Sequence, residues 1–157
     1  MNNKISRSSK ITRKCQISGS ENLESIIFLG YHPPVNEYVK IGEPADEKPS
    51  YPCELLYCPD SKLVQLGQIV DASVLFPPEY PYTSSTTKIL RENFAELYHE
   101  SSTMLDLQKD DLIIDIGSND GNLLSNFKDN HRVLGVTPEE VGKLAIEKGI
   151  PTIIDYF

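Results

Sequence analysis

The stretch Leu112–Leu124, LIIDIGSNDGNLL, decides the fold. Its first five residues are a compact apolar run interrupted by Asp115, and GSNDG follows at once. Gly117 and Gly121 bracket a tight turn in which a missing Cβ lets the backbone approach a ligand closely. Two readings compete. Asp-Gly between apolar runs is a hairpin signal, but Asn122–Lys128 puts Leu123, Leu124 and Phe127 at helical spacing rather than alternating. A strand-to-helix turn is therefore expected. The N–H groups opening that helix would suit a carboxylate or phosphate.

Working outward, Arg132–Val136 reads as a strand, Pro138–Lys148 as a helix closed by Gly149, and Thr152–Ile154 as the start of another strand. Upstream, Leu90, Phe94, Leu97, Tyr98, Met104 and Leu105 predict a helix from about Thr86, N-capped by Ser84, Ser85 or Thr86 and stopping before QKDD. The order is a helix and then β-α-β-α-β, an incomplete Rossmann-like parallel unit. Two βα units and part of a third strand cannot cover both faces of a parallel sheet. Either the chain is a fragment or a second chain completes it.

Before residue 85 the composition changes. Nine of the eleven prolines lie between Pro33 and Pro81, which prevents long helices and leaves short strands and turns. Brief apolar segments at Ser25–Leu29, Glu54–Tyr57 and Lys62–Val70 predict a small, loop-rich β module. The expected organisation is a disordered basic tail over 1–12, the β module over 13–85, and the incomplete Rossmann-like domain over 86–157. The fold class is thus α+β passing into α/β.

The chain has 157 residues, enough for one ordinary domain or two small ones. Its net charge is −8, and Lys4, Arg7, Lys10, Arg13 and Lys14 concentrate +5 in the first fourteen residues. That leaves −13 on the rest and argues against a broad nucleic-acid footprint. No apolar run approaches a membrane span, and no apolar segment follows the basic start as a secretory signal requires. Three cysteines do not make a secreted disulfide framework. A cytoplasmic protein is expected.

The cysteines carry a second pattern. Cys15-Gln-Ile-Ser18 and Cys58-Pro-Asp-Ser61 each resemble half of a C-x-x-C knuckle whose second cysteine has become serine. Two intact knuckles would signal tetrahedral zinc; a neutral hydroxyl is a poor zinc ligand. Cys15 and Cys58 are the candidate metal ligands, and Cys53 with His32 could complete a rearranged site. The favoured expectation is that the cysteines are small buried hydrophobes.

For the glycine loop, the dinucleotide pattern G-x-G-x-x-G fails at Asn119, and a P-loop fails at Gly121-Asn122-Leu123. What remains is the D-x-G-x-x-x-G pattern typical of S-adenosylmethionine sites. Asp115, Gly117, Ser118, Asn119, Asp120 and Gly121, with Thr137 at the end of the second strand, are then the candidate cofactor-binding residues. An acid ending the second strand should hold the ribose hydroxyls, but Thr137 occupies that position. A threonine cannot make paired charge-assisted bonds. Glu139 could substitute, or Glu139 and Glu140 could simply favour the first turn of the next helix.

Taken together, these segments resemble the S-adenosylmethionine-dependent sugar C-methyltransferases, which methylate a carbon of nucleotide-linked keto-deoxysugars. The residues carrying the resemblance are Cys15 with Gly19-Ser20, LGYHPPVNEY, YPCELLYC, LVQLGQIVD, LFPPEYPYTSSTT, IIDIGSNDGNLL, VLGVTPEE and GIPTIIDYF. It covers residues 13–157 but less than half of a family member. The resemblance implies an N-terminal zinc-binding module, a central S-adenosylmethionine domain, a further C-terminal domain and a nucleotide-sugar substrate. It also implies that a tyrosine of YPYTSS lines the sugar site, Tyr82 ahead of Tyr80. His99 and His131 are read as solvated or packed residues rather than bases. The chain is not expected to be active alone; the alternative is a non-catalytic remnant or binding module of the same fold.

Overall fold

The computed structural model describes residues 9–35, 38–39, 41–44 and 47–157. Most of the basic tail, residues 1–8, lies outside the described residues. The chain forms two compact units that divide between Leu75 and Phe76. Among the described residues no helix is long and apolar enough to cross a membrane.

The first unit holds β1 (Lys10–Ile11), β2 (Glu24–His32), β3 (Tyr51–Cys58), β4 (Leu63–Leu66), β5 (Gln68–Ile69) and a single helical turn, α1 (Ala72–Leu75). Strands β2, β3 and β4 form an antiparallel sheet in that order, and β1 pairs with β5. Ordered pairing thus begins inside the stretch expected to be a tail, with Lys10 opposite Ile69 and Ile11 opposite Gln68. Pro52 is tolerated in β3 because β4 reaches only from Leu55 to Cys58, so β3 has one neighbour at that point. The segment Lys62–Val70, KLVQLGQIV, is not one strand. Gly67 divides the segment into β4 and β5, and in β4 the buried residue is Gln65, while Val64 and Leu66 are exposed. Asp71 initiates α1, its carboxylate accepting from the Ser73 backbone N–H and hydroxyl.

The second unit opens with a 3₁₀ turn over Ser84–Thr86 and continues into α2 (Lys88–Met104), β6 (Leu112–Ile116), a 3₁₀ turn over Leu124–Asn126, β7 (Arg132–Thr137), α3 (Gly142–Glu147) and β8 (Thr152–Ile154). Strands β6, β7 and β8 are parallel, in that order. This is the incomplete Rossmann-like sheet that the periodicity predicts.

Three local expectations fail for identifiable reasons. The N-cap of α2 is Thr87, in extended conformation with no side-chain bond, because Ser84 is engaged elsewhere. The segment after the glycine loop is one 3₁₀ turn rather than a helix over Asn122–Lys128. There the Ser125 hydroxyl and Asn126 amide bond the Asn122 and Leu123 carbonyls, offering the backbone an alternative to helix. The next helix is shorter than Pro138–Lys148, since residues 138–141 form turns that position Glu139. Its end behaves as expected. Gly149 N–H donates to the Ile146 carbonyl and Ile150 N–H to the Ala145 carbonyl, a Schellman closure with Gly149 at φ +79°.

Register and alternation assign the faces of this sheet. Ile113 and Val133 pack against the buried cluster Leu124, Ala145 and Ile150, so the 3₁₀ turn and α3 cover one face. The other face presents Leu112, Ile114, Ile116 and Ile153 at 44, 52, 55 and 51% exposure. That open apolar face is the unfinished side foreseen from the βα count.

Candidate functional site

The ends of parallel strands converge on one edge of a sheet, and ligands of open α/β folds bind outside their carboxyl ends. Here that edge carries a cavity of about 260 Å³. Gly117 from the glycine loop, Glu139 after β7, and Asp155 and Tyr156 after β8 line it, backed by Phe76 and Val136. Phe76 in turn stacks against Tyr80 at 5.8 Å, and its carbonyl accepts from the Tyr156 hydroxyl at 2.8 Å. A larger groove of about 690 Å³ lies at the opposite, amino-terminal end of the strands. None of its lining residues belongs to the glycine loop, and its Lys128 and Lys148 ammonium groups are bonded to protein oxygens, those of Lys148 belonging to Asp120. The carboxyl-end cavity is the candidate site.

Gly117 has φ +89°, and a Cβ placed there would meet no atom within 4 Å. The loop therefore presents bare backbone to open space. Gly121 differs. At φ +74°, its Cβ would lie 2.8 Å from Ala145 Cβ and 2.9 Å from Ile150 Cδ1. Its missing side chain serves packing against α3 rather than a ligand.

The residues between these glycines face inward. The Asn119 amide donates to the Tyr82 carbonyl at 3.0 Å and its oxygen accepts from Ser84 N–H at 2.9 Å. Asp120 is fully buried, accepting from the Ser84 hydroxyl at 2.6 Å and from Lys148 Nζ at 3.2 Å. Burial alone would push the Asp120 carboxyl up. Hydrogen bonds from Ser84, Ser85 and Lys148, with the Lys148 charge, outweigh it and hold the group below the usual carboxylate range. Ser118 is buried with its hydroxyl unpartnered, lying across Gly135 of β7. Asn119 and Asp120 thus clamp the YPYTSS segment onto the glycine loop, which gives a physical reason for the two motifs to occur together.

Thr137 is fully buried, and its hydroxyl donates to the Glu139 carboxylate. The strand end therefore delivers a carboxylate to the cavity edge after all, two residues later and braced by the threonine. Asp115 is half-buried on the covered face of β6, and burial raises its pKa. For an acid shifted upward, the stabilising contribution is full below the unfolded pKa, about 3.9, and is lost as pH rises through the folded value. Asp115→Asn is therefore expected to raise the unfolding midpoint at neutral pH, with the gain vanishing in acid. Urea titrations at several pH values check this; equal stability at neutral pH would contradict it.

Tyr82 is 40% exposed and is held through its backbone carbonyl, while Tyr80 reaches the cavity only by backing Phe76. His131 bonds the Gln108 carbonyl through Nδ1 and packs near Tyr98 and Phe127, a structural role. Asp155 and Tyr156, within GIPTIIDYF, join the candidate site residues only in the structure. Their signal was available, because they follow the third parallel strand and must lie at the same edge.

In the first unit, the four knuckle residues come together. Cys15 Sγ lies 3.1 Å from Ser61 Oγ, and Cys58 Sγ lies 3.6 Å from Ser18 Oγ. Both cysteines are free and buried. Hydrogen bonds from Ser18, then Ser61, lower the Cys15 thiol from 9.0 to about 6. The rearranged site is ruled out by the strands. Cys53 is five residues from Cys58 along β3, roughly 16 Å away. His32, opposite Tyr51, is farther still and bonds the Leu29 carbonyl.

A knuckled β module followed by a parallel sheet with a glycine loop at its carboxyl edge is a two-part arrangement, and the comparisons match both parts. Residues 15–76 match the family model described as "Putative zinc binding domain". Over 142 residues the chain is 24% identical to the C-methyltransferase NovU of Streptomyces niveus, covering 89% of this chain and 34% of that protein. The first match covers the β module, and the second is a likeness that runs across both units. The chain spans about a third of the length of that relative.

The donor set present does not suit zinc. Two thiols and two neutral hydroxyls supply half of the thiolate or imidazole ligands that a structural site uses. Among the described residues no cluster of three or more His, Cys, Asp or Glu is available to complete it.

Proposed function

We propose that this chain is the N-terminal part of an S-adenosylmethionine-dependent C-methyltransferase acting on a nucleotide-linked keto-deoxysugar, and that it does not turn over by itself. The observation that carries this reading is the pairing of Gly117, with open space over its α-carbon, and Glu139, a buried carboxylate at the end of the second parallel strand. The loop backbone would lie against the cofactor, and Glu139 would accept the ribose hydroxyls in place of an acid at position 137. Once bound, the cofactor supplies an electrophilic methyl group. Asn119 with Asp120 fixes the segment that carries Tyr80 and Tyr82. Those two tyrosines are the residues proposed to face the sugar. The base and the remaining sheet would come from the part of the enzyme corresponding to the rest of the relative, either further along the same polypeptide or on a second one. A cytoplasmic location goes with this reading.

Glu139→Gln keeps the shape of the side chain and removes its charge. A charge-assisted bond exceeds a neutral one by about 1.4 kcal/mol, so S-adenosylmethionine affinity is expected to fall about tenfold. Calorimetric titration of both proteins checks this. Unchanged affinity would remove Glu139 from the ribose site, and tighter binding of a nicotinamide dinucleotide would overturn the cofactor class.

A further inference from the structure

The two knuckles of the first unit keep the backbone of a metal site while their donors have changed. In each, the cysteine carbonyl accepts the N–H of the residue four positions on, Gly19 to Cys15 at 2.9 Å and Lys62 to Cys58 at 2.8 Å. In each, that fourth residue has positive φ, +73° at Gly19 and +63° at Lys62. Lys62 adopts it without the freedom of a glycine, so the turn geometry is retained on both sides. The serine of each knuckle meets the cysteine of the other, at 3.1 and 3.6 Å. A tetrahedral zinc with ligands at about 2.3 Å has donor-to-donor edges of about 3.8 Å. The two cysteine-to-serine distances are thus somewhat shorter than the edges of a filled site. Further bonds tie the turns in place: Gln65 accepts from Gln16 N–H and donates to the Lys14 carbonyl, and Ser20 donates to Asp60.

From this we infer that the module is a metal-independent zinc knuckle, in which two crossed thiol–hydroxyl hydrogen bonds join the turns that an ion would otherwise join. It follows that two substitutions, Ser18→Cys with Ser61→Cys, restore a tetrathiolate site in a scaffold already folded to receive it. The test compares the natural chain with that double variant after purification with zinc present. Zinc content is measured by mass spectrometry, and thermal unfolding is followed with and without a chelator.

The natural chain is expected to hold less than about 0.1 zinc per molecule and to unfold at the same temperature in chelator. The double variant is expected to hold about one, a tenfold rise, and to lose stability when chelated. Cobalt(II) added to the variant should give the absorption of tetrahedral thiolate coordination, absent from the natural chain. About one zinc in the natural chain, or its unfolding by chelator, would overturn the inference. A folded double variant that binds no metal would overturn the claim that the scaffold is preserved. If the double variant does not fold, the chelator result on the natural chain still decides metal independence.

Discussion

Gly121→Ala is expected to destabilise the second unit by about 3 kcal/mol, the sum of two penalties. An alanine at φ +74° carries roughly 1–2 kcal/mol of left-handed strain. Its Cβ would also sit 2.8 Å from Ala145 and 2.9 Å from Ile150, two of the three residues in the buried cluster. Overpacking of that kind adds about 1–3 kcal/mol. For a unit of this size such a loss lowers the unfolding midpoint by more than about 10 °C. Differential scanning calorimetry reads it directly. Adding Ala145→Gly should recover part of the loss, because it removes the nearer of the two contacts. An unchanged midpoint for Gly121→Ala would mean that the loop does not pack on α3 as described.

The second large effect is on binding. Gly117→Val adds a branched side chain on the open side of the loop, where a Cβ meets no protein atom within 4 Å. Valine at φ +89° is strained, yet it displaces nothing inside the unit, so the fold is expected to survive. S-adenosylmethionine affinity is expected to fall at least about a hundredfold, about 2.7 kcal/mol. Circular dichroism on the same sample separates lost binding from lost structure. The two glycines of one loop thus give opposite signatures, one in stability and one in affinity.

That contrast marks the limit of what the sequence discloses. Both glycines were legible as loop glycines, and the strand runs around them located β6, β7 and β8 closely. Which glycine serves packing depends on where Ala145 and Ile150 fall, and those residues are 24 and 29 positions downstream of Gly121. Asn119 and Asp120 looked like ligand residues because they are polar residues in a glycine loop. The structure spends them on Tyr82 and Ser84, residues brought in from before α2. Helix lengths were overestimated at Asn122–Lys128 because the periodicity of Leu123, Leu124 and Phe127 says nothing of side chains that compete for backbone carbonyls. At Thr137 the sequence leaves open whether Glu139 substitutes for the missing acid, and the bond from the Thr137 hydroxyl to the Glu139 carboxylate is visible only in the fold. The knuckles were legible in spacing, but only the fold brings Ser18 to Cys58 and Ser61 to Cys15.

The open face of the second unit bears on activity as well as on folding. Leu112, Ile114, Ile116 and Ile153 form an apolar row that a complete α/β sheet would cover. With that face uncovered, loss of turnover in the isolated chain would not contradict cofactor binding at the carboxyl edge. Binding and turnover are separable here, and the proposed cofactor site draws on residues of this chain.

The measurement that tests the account most directly is calorimetric titration of the purified 157-residue chain with S-adenosylmethionine, beside Gly117→Val. Saturable one-to-one binding by the natural chain, lost in a folded Gly117→Val variant, is the predicted result. No saturable heat from a natural chain shown to be folded would contradict it and leave a non-catalytic remnant of the same fold.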